Sequence, residues 1–283
     1  MKNKDFVIFI ITHERANEQK TLKALLERNY KGKIYLVVDN LDKQMMDYVE
    51  KYKGQVIVFD KEQMHKITNT MDNFHNLSSA VYARNFVQEY AKKYNIEYYA
   101  IFDDDIEYFC YRYNNFGFLS RKELTDINKI FDIYINFLKT TNIAGIGFGN
   151  EGGYFGGTEG KFSKQYGRTI NQAMIINGNK NIKFLGTQNE DYNIILRYFY
   201  ELFIEIYGVS ILTPKRGTNK GGNDYNLSGM YVSNFYSVML APSYNKIRIK
   251  KGNIILIKKL GNGIPQIISE VYKKWNIILQ FLY

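Results

Sequence analysis

The chain has 283 residues, 45% of them hydrophobic, enough for one large α/β domain with an appended piece or for two small domains. Lysine and arginine number 38 against 28 aspartates and glutamates, a formal net charge of +10 that favours a polyanionic partner, although an Ile-, Asn-, Lys- and Tyr-rich, AT-type composition carries some basicity by itself. Cys110 is the single cysteine, which excludes an intrachain disulfide and a cysteine-based zinc site, and no apolar run approaches the ~20 residues of a membrane helix.

The opening Met1-Lys2-Asn3-Lys4-Asp5 leads into a run too short for a secretory signal, so a soluble, cytoplasmic protein is expected. Phe6 to Ile11 is a continuous β-branched and aromatic run, the pattern of a strand buried on both faces. Thr12 follows as a helix N-cap, and Asn17 to Arg28 carries Leu22, Leu25 and Leu26 at helical spacing. A strand over Ile34–Val38 closing on Asp39, a helix from Met45 to Lys53 and a strand from Gln55 to Phe59 complete a strand–helix alternation. That order predicts a doubly wound, mostly parallel sheet flanked by helices. Ligands in such sheets lie beyond the carboxyl ends of the strands, which singles out Thr12 to Arg15 and Asp39.

Residues 61–77 read as an irregular connection holding His65 and His75, before a helix from about Ser78 to Lys93 with Arg84 and Asn85 near its start. The strand Tyr98-Tyr99-Ala100-Ile101-Phe102 then ends in Asp103-Asp104-Asp105. Alternation on a strand lets Asp103 and Asp105 point together while Asp104 points away. Three adjacent carboxylates repel unless something positive neutralises them, and two hard oxygen ligands at a strand end suit Mg²⁺ or Mn²⁺ with a diphosphate completing the shell. An acidic surface turn would have the same sequence.

Tyr108 to Phe118 reads as an aromatic, Asn-rich loop, Arg121 to Thr140 as an amphipathic helix, and glycine-dense Ala144 to Gly160 as an acceptor-side or plain structural loop. It is neither a Walker loop nor a dinucleotide fingerprint. A strand over Gln172–Ile176 ends on Asn177, and Asn189-Glu190-Asp191 leads into a helix over Asn193–Phe203; ordinary helix capping also explains that carboxylate pair. Pro214 to Asn223 is a basic, glycine-rich loop bearing Lys215, Arg216 and Lys220, with phosphate-seeking composition. Lys246, Arg248 and Lys250 alternate in a hairpin turning at Lys251-Gly252-Asn253, which a solvated edge strand would equally show, and a helix around Trp275 closes the chain. The expected division is a core of residues 1–212 and a basic extension of residues 213–283 packed on it.

The ordered set of Thr12-His13-Glu14-Arg15, Asp39, Ala83-Arg84-Asn85, Asp103-Asp104-Asp105 and Asn189-Glu190-Asp191 resembles a GT-A nucleotide-sugar glycosyltransferase over roughly residues 6 to 207. The Thr-x-x-Arg after the first strand, the acidic triplet and Gln172-Ala-Met-Ile-Ile-Asn177 are similar to the phage and kinetoplastid TET/JBP-associated glycosyltransferases, which act on hydroxymethylated DNA bases. The resemblance implies an inverting hexosyltransferase that uses Mn²⁺ or Mg²⁺ and a nucleotide-sugar donor, UDP-linked. It implies Thr12, Arg15, Asp39, Arg84, Asn85, Asp103 and Asp104 at the donor, Asp103 and Asp105 on the metal, and Asp191 as base with Glu190 as alternate. Lys215, Arg216, Lys220 and Asn177 would face a DNA acceptor, and surplus tyrosines would either stack on opened bases or fill the core. One departure stands: His13, His65 and His75 all precede the triplet, so the late metal-binding histidine of many GT-A enzymes is missing.

Three other classes compete. A glycan or cell-surface polysaccharide acceptor fits the same fold, with the basic balance against it. A nucleotidyltransferase wants glycine after the first strand, which Thr12 to Asn17 lacks. A non-catalytic nucleic-acid binder leaves the acidic triplet unexplained, since polyanions are repelled by it.

Overall fold

The computed structural model describes residues 5–73, 75–115, 118–150, 170, 172–198, 202–213, 235–242, 245–250 and 253–258. Strands β1 (Val7–Ile11), β2 (Lys33–Asp39), β3 (Val56–Phe59) and β4 (Tyr98–Asp103) run parallel in the order β3-β2-β1-β4. The connecting helices are α1 (Lys20–Glu27), α2 (Met45–Lys51), α3 (Lys61–Ile67) and α4 (Val81–Lys93). Beyond β4 the sheet continues through β8 (Ala173–Asn177), β7 (Ile143–Asn150), β9 (Leu202–Leu212), β5 (Tyr108–Asn115) and β6 (Phe118–Glu123). Among these strands β8 and β5 oppose the common direction, so the predicted mostly parallel sheet is present. Helix α5 (Ile127–Thr140) packs on one face, α6 (Glu190–Arg197) sits on the other, and β10 (Asn245–Lys250) pairs with β11 (Asn253–Lys258) as a separate hairpin.

Strand alternation divides the core. Ile8, Ile10, Ala100 and Phe102 face α1, α2 and α5, whereas Val7, Phe9, Ile11, Tyr99 and Ile101 face α4. On the first face Phe102, Phe109, Phe131 and Phe148 meet at ring-centroid distances of 5.8–6.2 Å, within the range where offset and edge contacts are favourable. Tyr48, Tyr82, Tyr99, Tyr134 and Tyr192 are buried in the core, so these tyrosines fill space and offer no stacking platform.

Several expected elements differ. Lys61–Ile67 is a helix, with Asp60 accepting from Gln63 N at 2.9 Å as its N-cap; a seven-residue helix carries too little periodicity to be read. Tyr108–Glu123 is a hairpin, where Asn and Gly hid the strand signal. The start of the glycine-dense segment is the buried strand β7, because a Cβ on Gly147 would sit 2.5 Å from Ile170 Cγ2: the glycine is there for close packing. Helix α6 begins at Glu190 and stops at Arg197, leaving Leu202–Leu212 to extend the sheet. Thr12 caps no helix, since α1 starts at Lys20. Lys215, Arg216, Lys220 and the segment around Trp275 lie outside the described residues. No helix among the described residues is long and apolar enough to cross a membrane.

Candidate active site

β4 ends at the carboxyl edge of the sheet with Asp103 as its last residue, and Asp104 and Asp105 form the turn that follows. Asp103 falls on the α4 face, where Arg84 Nη2 donates to it at 3.2 Å. Asp104 falls on the opposite face, where Thr12 Oγ1 donates to Oδ2 at 2.6 Å and Arg15 Nη1 bonds to Oδ1. Backbone bonds fix the turn: Thr21 Oγ1 donates to Asp103 O at 2.5 Å and accepts from Ile106 N at 2.9 Å, while Asp103 N donates to Gln172 O at 2.8 Å.

Burial pushes the Asp103 carboxyl up to about 7; Arg84 works against that shift, and Asp105, Asp104 and Glu190 add to it. Burial also raises Asp104, opposed by Arg15 and Thr12. Burial is the largest cause at both carboxyls, and the arginines offset it only in part. Carboxylate oxygens are hard donors of the kind Mg²⁺ or Mn²⁺ takes. No group of three or more His, Cys, Asp or Glu among the described residues is placed to hold a metal ion.

Arg84 is buried and joins two elements. Its Nη1 lies 3.6 Å from Glu190 Oε1 at the start of α6, while Nη2 holds Asp103. Burial disfavours the guanidinium charge, yet Asp103, Glu190 and Asp191 outweigh that and raise its pKa. Glu190 is itself raised by burial, opposed by Arg84. The strand end, Arg84 and the Glu190–Asp191 turn thus form one electrostatic unit across three elements. Removing one partner of such a buried pair typically costs about 3–5 kcal/mol.

The turn ahead of α6 is held tightly. Asn189 occupies the left-handed region at φ 54°, and Asn193 Nδ2 donates to Leu185 O at 3.0 Å and Gln188 O at 3.1 Å. Gly186 has φ +85°, and a Cβ there would lie 2.6 Å from Asn193 Nδ2, so backbone conformation and close approach both demand glycine. Glu190 is buried, whereas Asp191 is half-buried, its Oδ1 accepting from Tyr192 N at 2.8 Å.

A second charged group occupies the ends of β1 and β2. Asp39 Oδ2 accepts from Lys61 Nζ at 2.9 Å and is 3.0 Å from His13 Nδ1, and its Oδ1 accepts from Leu41 N at 3.1 Å. Asp42 Oδ2 lies 3.5 Å from the same histidine nitrogen. The hydrogen bond with Asp39 raises the His13 pKa above 6.5, against burial. Burial pushes Asp39 up, but the bonds from His13 and Lys61 outweigh it and hold the carboxyl low.

Three expected site residues are placed otherwise. Asn85 is a structural clamp: Nδ2 donates to Phe184 O at 2.9 Å and Oδ1 accepts from Phe184 N at 2.8 Å, which leaves it no reach toward a donor. Asp104, bonded through both oxygens to Thr12 and Arg15, anchors the strand end, and Thr12 Oγ1 also accepts from Gln19 Nε2 at 2.9 Å and lies 2.8 Å from Tyr48 OH. Asn177 pairs with Tyr98 because β8 runs antiparallel to β4, and it caps a 3-10 turn through a bond from Asn179 N at 3.1 Å. It therefore lies at the sheet edge opposite Asp103. Lys61, Asp42 and Asn193 escape sequence reading because their partners are distant in the chain or of no diagnostic spacing.

The family model for TET-associated glycosyltransferases matches residues 6–238. The chain belongs to that family. As a TET-associated glycosyltransferase it is an enzyme of glycosyl transfer. No curated protein matches it in sequence. Its fold is similar to that of Mycobacterium tuberculosis glucosyl-3-phosphoglycerate synthase, in a crystal with Mg²⁺ and uridine diphosphate: TM-score 0.50, 7% identity, 91% of this chain and 88% of that one covered. Another crystal of that enzyme, with Mn²⁺, UDP-glucose and phosphoglyceric acid, gives TM-score 0.50 at 7% identity over 88% of this chain and 85% of that one. This TET-associated glycosyltransferase accordingly has the GT-A architecture, with the acidic triplet at the carboxyl edge of its sheet.

Proposed function

We propose that the chain moves a sugar from a nucleotide diphosphate sugar, UDP-linked, onto a hydroxymethylated pyrimidine base in phage DNA, with inversion at the anomeric carbon. The observation that carries this reading is the union of Asp103, Arg84 and the Glu190–Asp191 turn at one strand end. The solved proteins of similar fold bind uridine diphosphate or UDP-glucose with Mg²⁺ or Mn²⁺, which supports a donor and a divalent ion of that kind here. Asp103 and Asp105 would hold the ion. When bound it supplies Lewis-acid stabilisation of the leaving diphosphate.

The residues divide the remaining work. Asp39 orients His13, whose side chain is 40% exposed and so is the group of that cluster available to meet a nucleoside. Arg84 spends its charge on Asp103 and Glu190, holding the donor end and the base end in fixed relation. Glu190 is buried against Arg84, which leaves Asp191 as the carboxylate able to reach an acceptor. In the transfer, the acceptor hydroxyl oxygen bonds to the anomeric carbon as the bond from that carbon to the diphosphate oxygen breaks. The electron pair leaves with the diphosphate, and the hydroxyl proton passes to the Asp191 carboxylate. Lys215, Arg216 and Lys220 are proposed to hold DNA phosphates while the target base leaves the stack, a step costing a few kcal/mol.

Incubation with a panel of UDP-sugars, Mn²⁺ and DNA containing 5-hydroxymethylcytosine or 5-hydroxymethyluracil, followed by mass spectrometry of the nucleosides, should show an added hexose. Asp191→Asn should lower turnover by about 10²–10⁴-fold while calorimetry still detects donor binding. Retained turnover refutes Asp191 as base, and transfer to glycans but never to DNA refutes the acceptor.

A further inference from the structure

Tyr192 and Asn193 directly follow the Glu190–Asp191 pair, both are buried, and each bonds to the C-terminal segment. The Tyr192 hydroxyl donates to Asn245 Oδ1 at 2.8 Å, and Ser237 Oγ donates to Asn193 Oδ1 at 3.0 Å. Asn193 uses its other amide atom on Leu185 O and Gln188 O, so one side chain spans from the C-terminal segment to the loop that enters the carboxylate turn. Asn245 Nδ2 in turn donates to Ser237 O at 2.9 Å and Ala241 O at 3.1 Å, closing the helical turn 235–240 onto itself. A third tie reaches the same loop from the side: Tyr236 OH donates to Asp72 Oδ2 at 2.6 Å, and Thr187 Oγ1 donates to that oxygen at 3.2 Å.

Buried polar groups bonded this completely hold one geometry, because unpairing any of them strands a donor or acceptor away from water. Asn245 also lies past residue 238, where the family match ends, and it opens β10, the first strand of the hairpin. One side chain therefore connects the start of the hairpin to the helix bearing the carboxylate pair.

We infer that residues 235–242 together with Asn245 form a clasp that sets the position of the Glu190–Asp191 turn, with Tyr192, Asn193, Ser237 and Asn245 as positioning residues for sugar transfer. The inference rests on the reading of Asp191 as base. A misplacement of about 1 Å at a reacting group lowers turnover by roughly a hundredfold, so small slack in the clasp is felt in catalysis before it is felt in folding.

Tyr192→Phe and Ser237→Ala each remove one hydroxyl and keep the packing, and they are compared singly and together in the full chain. Hydrogen exchange followed by mass spectrometry should show faster exchange over residues 186–193, with β1 and β4 unchanged. Turnover of the double variant should fall about tenfold to a hundredfold at unaltered donor affinity. Unchanged exchange over 186–193 overturns the clasp. Faster exchange with unchanged kcat overturns its positioning role, as does a lowered Tm with full kcat per folded molecule. The exchange arm reads the coupling whichever group is the base, whereas retained turnover in Asp191→Asn would sink the base alone, so the two failures are separable.

Discussion

His13 and Asp39 make a pair whose strength follows pH in a defined direction. Hydrogen bonding to Asp39 raises His13 above its ordinary 6.5, so the stability it contributes is fully present below that value and is lost as pH rises through the folded value. Asp39 is depressed below its ordinary 3.8, so its share is present above that value and lost as pH falls through the folded one. Both shares coexist between those limits. The Tm difference between the wild type and His13→Asn should be largest near pH 5–6 and shrink toward pH 8.5; an equal difference at both ends would mean the ring carries no charge in the fold. At this scale the sequence was informative for residues that sit in ordered motifs, such as Asp103, Arg84 and Glu190. It was silent on Lys61, which meets Asp39 across 22 positions, since no spacing rule connects a helix start to a neighbouring strand's end. Asn85 misled because a polar residue beside Arg84 looks like a ligand contact until Phe184 is seen to use both ends of its amide.

The loop into α6 needs glycine at one backbone position besides the side-chain bonds that hold it. Gly186 and Gly54 both have positive φ, +85° and +77°, but a Cβ at Gly54 would meet nothing within 4 Å, whereas at Gly186 it would lie 2.6 Å from Asn193 Nδ2. Alanine at Gly54 should therefore cost about 1 kcal/mol from conformation alone, and at Gly186 some 1–2 kcal/mol more from crowding, by denaturant titration. Equal losses would show that Asn193 has room to move. The elements that could be read in advance were those with one clear period: β1, β2, β4 and the amphipathic helices. β5 was obscured by the asparagines at its end, and β7 by glycines placed for Ile170 and Phe203 to lie against the backbone. Local composition there reflects what packs on the strand, which only the tertiary structure reveals.

Across the whole molecule, the acidic strand end sits within a chain of net charge +10. If DNA is the acceptor, affinity should fall with salt by a log–log slope of about −0.9 for each phosphate contacted, and Lys215→Gln with Arg216→Gln should make the slope shallower. Binding insensitive to salt would remove DNA as the partner. The doubly wound half of the fold followed from strand–helix alternation, while the reversal at β8 had no counterpart in the pattern, because a buried strand reads the same in either direction.

That reversal decides where the chain tolerates a change of length. Since β8 runs against β7, the chain leaves the sheet at Asn150 and re-enters it at Gln172 on the same rim as Asp103, and Asn150 Nδ2 bonds Gln172 Oε1 at 2.6 Å. A change of chain length between Asn150 and Ile170 costs little closure entropy, because the two ends already meet at one rim, whereas Ile170 itself lies against Gly145 and Gly147 and is tied to the strands behind it.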